Sequence, residues 1–335
     1  MLGPSSVPVL RGVTAAVYGL LLPETRAMVR RLWAERPENL YERSYDDVQD
    51  AAHVVFLDAW RAWVSPLVSG LGEFHHAYVA NGSSEAIRES VWSLASAAHS
   101  RGLTPQLHVF AGEYEGYAAY ARAAGIAVVS HDREHWADEK SYSPQALHRW
   151  YISQPSAIDG NNWPAFPEFV AGMAERGVEI AVDLAYVGAA ADQPAIDLSL
   201  PNIRYVFFSL SKVFGLFYHR VGGTLSRSPM LGLEGNRWFK NMFSLYLGTS
   251  LMSETPTLTT LPTRYRHVQL EACQQLGTEH GIPFTPSEVI LLAWSPLGPY
   301  PDVFRRGGNY RWCLTPTLDA LLAAHTAAQP AATHA

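Results

Sequence analysis

Between residues 77 and 209 the chain repeats one pattern: a short apolar run, a glycine or polar turn, then a stretch with helical spacing. Residues 77–81 read as a buried strand that runs through Gly82-Ser83-Ser84-Glu85 into a helix reaching about residue 98. Strands follow at 106–110, 126–130, 149–153, 179–183 and 203–209, with helices at 117–124 and 164–175 between them. Strands that alternate with helices cannot pair as hairpins, so the pattern predicts an α/β fold: a mostly parallel sheet with helices on both faces. Earlier, at 46–70, Val48, Ala52, Val55, Phe56 and Trp60 share one helical face. From about 225 the pattern shifts to helices at 238–249 and 262–280 and short strands near 287–294 and 310–314, which reads as a smaller α+β unit. The expected organisation is an N-terminal arm (1–45), a large domain (46–225), a small C-terminal domain (226–322) and a flexible tail (323–335).

Composition narrows the class of function. A content of 48% apolar residues over 335 positions supports real cores, and a net charge of −6 without long charged runs argues against nucleic acid or an anionic membrane as partner. A small molecule is the expected ligand. Two cysteines, Cys273 and Cys313, are too few for a disulfide framework and form no zinc-type spacing, which favours a reducing, cytoplasmic setting. No apolar run is long enough to span a bilayer. The apolar stretch 13–22 is followed by Pro23-Glu24-Thr25-Arg26 rather than by a small-residue cleavage site, against a secretory leader.

The chain carries 22 arginines and three lysines, and one of those lysines, Lys212, follows the apolar strand 203–209 and precedes Gly215. An amine at a strand's end beside a glycine turn points to covalent chemistry, and a Schiff base with pyridoxal phosphate (PLP) fits the surrounding residues. Asp183 ends another apolar strand, where open α/β sheets bind ligands, and its carboxylate can keep a pyridine nitrogen protonated; a helix N-cap is the plainer role. Tyr186, three residues on, can donate to a ring oxygen. Gly82-Ser83-Ser84 at a helix start offers N–H groups, hydroxyls and a helix dipole to a phosphate. Ser209 and Ser211 flank the lysine, and Arg220 can clamp the phosphate. Tyr114 can stack on the ring, although a loop aromatic is more often ordinary packing. Arg311 lies in an apolar strand, where an unpaired guanidinium is expensive, so an acid or a substrate carboxylate is its expected partner.

These motifs resemble the fold-type I PLP enzymes, and within them the class I/II aminotransferase-like family, across roughly residues 40–315. Ser209-Leu210-Ser211-Lys212 with Arg220, Asp183 with Tyr186, Gly82–Ser84 with Tyr114, and the late Arg311 follow the family's order. The resemblance implies a three-layer α/β/α domain plus a smaller C-terminal one, PLP as cofactor, an amino acid substrate with a 2-oxo acid as acceptor, and Arg311 on the substrate carboxylate. It also implies a homodimer in which Tyr41 or Tyr45 reaches the neighbour's phosphate. The chain departs from the family at Ala157, which occupies the place of an asparagine that bonds the cofactor's ring oxygen; either Asn161 or Asn162 replaces it through a shifted loop, or the oxygen keeps only Tyr186.

Other readings are weaker. Ser209-x-x-Lys212 fits serine acyl-transfer enzymes, but no Lys-Thr-Gly follows. His131 and His135 have metal-pair spacing without the accompanying glutamate and read as surface residues, and His75-His76 as core or surface. The expected function is therefore a PLP-dependent aminotransferase acting through a Lys212 aldimine. Elimination, replacement, cyclisation or oxidase chemistry on the same carbanion is the alternative, and a non-catalytic binding module the lesser one.

Overall fold

The computed structural model describes residues 10–40, 48–138, 142–237, 240–255 and 257–328. In chain order the strands are β1 (Val68–Ser69), β2 (His76–Ala80), β3 (Thr104–Phe110), β4 (Ala127–His131), β5 (Ala146–Ser153), β6 (Glu179–Asp183), β7 (Ile196–Asp197), β8 (Ile203–Ser209), β9 (Gly222–Ser226), β10 (Thr285–Pro286), β11 (Leu292–Pro296), β12 (Arg305–Arg306) and β13 (Asn309–Cys313). The helices are α1 (Pro23–Ala34), α2 (Val48–Val64), α3 (Ser83–Ser100), α4 (Glu115–Ala123), α5 (Phe166–Glu175), α6 (Leu231–Gly235), α7 (Met242–Glu254), α8 (Thr260–His280) and α9 (Thr315–Ala328).

The apolar runs of β5, β6 and β8 are buried on both faces, as the central strands of a parallel sheet require. Seven strands make one sheet in the order β2-β9-β8-β6-β5-β3-β4. Every pairing from β4 to β8 is parallel, and β9 alone runs against its neighbours β8 and β2. Side chains alternate between two cores. Phe208, Trp150, Ile180 and Val182 enter one core with Trp60 of α2 and Phe169 of α5, whereas Phe207, Tyr151 and Ala181 enter the other with Ile87, Val91 and Leu94 of α3. Trp60 stacks on Phe208 with ring centroids 3.9 Å apart. The result is a three-layer α/β/α arrangement. Truncating Phe208, 1% exposed, would cost about 3–5 kcal/mol.

A four-stranded antiparallel sheet, β10-β11-β13-β12, lies in the C-terminal part, and residue 14 of the N-terminal segment bridges to Cys313 at its β13. β1 and β7 form a small separate parallel pair.

Several boundaries differ from the sequence reading. The face of α2 that packs inward is His53, Phe56, Leu57, Trp60, Trp63 and Val64, while Val55 is 56% exposed. The helix expected at 238–249 begins later and ends at Glu254, with Asn241 Oδ1 accepting the Ser244 N–H as its cap. The strand expected near 287–294 is two pieces, β10 and β11. The tail assigned from 323 is helical to Ala328, because α9 packs on α8. Strand β9 has no counterpart in the sequence reading: Gly222 and Gly223 mask its pattern. A Cβ at Gly222 would lie 2.3 Å from the Phe208 carbonyl, and one at Gly223 2.5 Å from the Tyr78 carbonyl, so a close backbone approach demands glycine.

Candidate active site

Strands β2, β3, β5, β6 and β8 end on one edge of the main sheet, and the turns after them surround a cavity of about 260 Å³. Its walls include Ser83, Ser84, Tyr114, Asp183, Tyr186, Ser209, Ser211, Lys212, Arg220 and Arg311. Ten of the residues singled out in the sequence, separated by up to 228 positions, thus share one enclosure.

One corner is built for an oxyanion. Gly82, with φ +77°, turns the chain from β2 into α3, so that Ser83 and Ser84 open an 18-residue helix. Helix N-termini present unsatisfied N–H groups and partial positive charge. Opposite them, Ser209 Oγ donates to Ser211 Oγ at 2.9 Å and accepts the Ser211 N–H at 3.2 Å. Arg220 takes a left-handed backbone with φ 49° and donates from Nη2 to the Asn81 carbonyl at 3.1 Å, which lays its guanidinium against Gly82. A Cβ on Gly82 would sit 2.8 Å from Nη2, so the cradle needs glycine.

Asp183 lies at the end of β6 and is 5% exposed. Its Oδ1 accepts the Ala185 N–H at 2.9 Å and its Oδ2 the Tyr117 hydroxyl at 3.1 Å. Burial pushes this carboxyl up to about 6, against the pull of those two hydrogen bonds and the Lys212 charge. Asp183 is a carboxylate with fixed orientation and no arginine or lysine salt bridge among the described residues. Lys212 extends from the turn after β8, and burial brings its amine down to about 8; the nearby Arg311 and Arg220 charges add to the lowering, and Cys313 and Asp183 oppose it. Its Nζ donates to the Val17 carbonyl. Burial likewise raises the Tyr186 phenol well above its ordinary value. Tyr114 caps the start of α4, its ring edge-on to Tyr117 at 5.4 Å and its hydroxyl 3.4 Å from Ser84 Oγ.

Arg311, 3% exposed, projects from β13. It donates to the carbonyls of Ala157 and Ala15, while its Nε is buried without a partner. No carboxylate of the described residues pairs with it. A buried guanidinium held only by neutral carbonyls and facing a cavity is suited to an incoming carboxylate.

Asn161 does not reach the cavity. Its Oδ1 accepts the Glu288 N–H at 3.0 Å, and Asn162 is tied to the Glu288 carboxylate and the Asp192 carbonyl, so both asparagines are anchored away from the site. Ala157 itself lines the wall. Tyr41 and Tyr45 lie outside the described residues. Lining groups that sequence reasoning missed include Ala16, Val17, Tyr18, Glu115, Ser153 and Phe217. Residues 16–18 arrive from an N-terminal strap with no local signature; Ser153, in register with Asp183 on the adjacent strand, was findable once parallel pairing of those two strands was assumed.

No family model and no curated protein sequence matches the chain. Solved structures do. BacF from Bacillus subtilis in its substrate-bound form superposes with a TM-score of 0.67 at 13% identity, covering 94% of this chain and 89% of that one. A probable N-succinyldiaminopimelate aminotransferase from Thermus thermophilus gives 0.65 at 18% identity, covering 94% of both chains. Histidinol-phosphate aminotransferase from Sinorhizobium meliloti, in complex with pyridoxal-5'-phosphate, gives 0.63 at 14% identity over 93% and 90%. By these superpositions the chain has a fold-type I PLP aminotransferase-like fold.

Proposed function

We propose that this protein is a PLP-dependent enzyme acting on an amino acid, with transfer of the amino group to a 2-oxo acid as its reaction. The observation that carries the reading is the convergence of Lys212, Asp183 and the Gly82–Ser84/Arg220 cradle on one cavity whose wall also holds a buried Arg311 with no carboxylate partner among the described residues. The donor set fits the cofactor: a phosphate-binding corner, a carboxylate for the ring nitrogen, an aromatic face and an amine. When bound, PLP supplies an electron sink that stabilises negative charge at the substrate α-carbon.

The residues divide the remaining work. Ser83, Ser84, Ser209, Ser211 and Arg220 hold the phosphate, and Tyr114 covers the ring. Asp183, fixed by Tyr117 and Ala185, keeps a proton on the ring nitrogen. Tyr186 bonds the ring oxygen. Arg311 binds the α-carboxylate and orients the α-hydrogen. Lys212, its amine lowered to about 8, is partly neutral near physiological pH and moves that proton as general base and then acid.

The same reading includes a homodimer sharing residues between sites, checked by light scattering of the purified chain, and a reducing cytoplasmic setting, consistent with the buried free cysteines Cys273 and Cys313. The described residues contain no helix long and apolar enough to cross a membrane. The test of the reaction is addition of an amino acid panel to the PLP-loaded protein with a 2-oxo acid present. Conversion of the 2-oxo acid to its amino acid supports amino transfer, whereas release of ammonia or peroxide without it assigns lyase, replacement or oxidase chemistry.

A further inference from the structure

Among the described residues, Glu113 is a buried carboxyl beside the cavity that this division of work leaves idle. It follows β3 in the turn into α4, is 7% exposed, and has no salt bridge among the described residues. All its partners lie toward the cavity wall. Ser153 Oγ donates to Oε2 at 2.6 Å, the Ser153 N–H to Oε1 at 3.1 Å, and the Tyr114 N–H to Oε2 at 3.3 Å. Ser153 ends β5 next to Asp183, lines the cavity, and accepts the Ala157 N–H at 2.6 Å. The Ala157 carbonyl in turn receives Arg311. Glu113 is therefore linked to the stacking aromatic by one hydrogen bond, to the Ala157 wall by two and to the carboxylate anchor by three.

A serine hydroxyl has a single proton. While Glu113 is ionised, that proton is committed to the carboxylate. With Glu113 neutral, the acid's own O–H is the donor across the 2.6 Å contact, and the serine proton is free to turn into the cavity. Burial pushes this carboxyl up to about 7, against the Ser153 and Tyr114 hydrogen bonds and the charge of Arg133, so both forms are accessible near neutrality. Arg133 itself is engaged with Asp159 at 2.6 Å and Ser156 at 3.1 Å, and the nearby Tyr117 phenol donates to Asp183, so neither competes for the Glu113 proton.

We propose that Glu113 and Ser153 form a proton-switching pair in which neutral Glu113 donates to Ser153 Oγ and turns the serine proton onto the ring-oxygen edge of the bound cofactor, beside Ala157. The proton on Glu113 comes from solvent and no covalent bond changes. Glu113 is a positioning residue, and Ser153 is the group that touches the cofactor. This inference rests on the PLP reading and deepens it.

The test is the pH midpoint of the visible absorbance band of PLP-loaded protein, a readout independent of turnover. A donor at the ring oxygen stabilises its negative charge and weakens its hold on the neighbouring proton, so losing the donor raises the midpoint. Ser153→Ala should raise it by about one unit, a tenfold change in ionisation. Glu113→Gln, whose amide donates permanently to Ser153, should keep the midpoint at or below the wild-type value. An unchanged midpoint in Ser153→Ala overturns the proposal. If that variant does not fold, Glu113→Gln decides alone: a rise of about one unit overturns the proposal, and a wild-type or lower midpoint upholds it. Absence of any visible band in the wild-type protein would instead overturn the PLP reading, so the two failures are distinguishable.

Discussion

Two clusters of buried polar side chains sit on the main sheet, and they are constructed in opposite ways. In one, His108 on β3 bonds His131 of β4 and His148 of β5, each at 2.9 Å, and His148 reaches the Ser143 carbonyl at 2.9 Å. Trp150 and Tyr142 pack around the rings. Both nitrogens of His108 and of His148 are satisfied by protein. In the other, the cavity, the hydrogen bonds of Lys212 and Arg311 among the described residues go to backbone carbonyls and Arg311 Nε has no partner. A closed network contributes to stability, whereas a half-satisfied one costs stability and is kept for what enters it.

The largest effects are expected at the cavity. Asp183→Asn should lower turnover by roughly 10²–10⁴-fold while the fold persists, measured as kcat with the protein's circular dichroism as control. Arg220→Ala should weaken retention of the cofactor by about 10–100-fold, the range for losing charged hydrogen bonds, and Arg311→Ala should raise the amino acid KM by a similar factor. Equilibrium dialysis and steady-state kinetics check the pair. Conversely, His108→Ala should leave kcat and KM in place and cost about 2–4 kcal/mol of stability in denaturant unfolding.

Acid should separate the two clusters further. Burial, with His131 and His148 adding, depresses His108 from its ordinary 6.5 to about 3, so it stays neutral in the fold while the unfolded chain gains a proton. That stability is fully present above pH 6.5 and is lost as pH falls from there toward 3. Asp183 has the opposite sign: raised from 3.8 to about 6, it is more readily protonated in the fold, so its cost grows as pH rises from 3.8 through 6. In cofactor-free protein, His108→Ala should flatten the acid limb of stability against pH, and Asp183→Asn should gain ~1–3 kcal/mol at pH 7. An acid limb that survives His108→Ala would break the assignment.

How far each cluster is legible in the sequence follows from how local its signal is. The α/β pattern and the positions of Gly82, Asp183 and Lys212 at strand ends are each legible from the residues immediately around them, because strand, turn and helix are short-range features. Arg311 stands out because a charge in an apolar strand requires an explanation. The closed histidine network left no such trace: His131 read as a surface residue, yet its partner lies 23 positions away on a neighbouring strand. Ser153, Glu113 and the strap 16–18 were equally hidden, since only sheet order and a crossing from the N-terminus bring them to the cavity. Asn161 misled for the same reason, its bond to the Glu288 backbone spanning 127 positions.

Whether Lys212 carries the cofactor is read from an absorption spectrum of the purified protein loaded with PLP, taken for wild type and for Lys212→Ala. The wild type should show a visible band that borohydride fixes covalently to the chain, with neither the band nor the attachment in the variant. A band and covalent attachment that persist without Lys212 would rule out this role for the lysine.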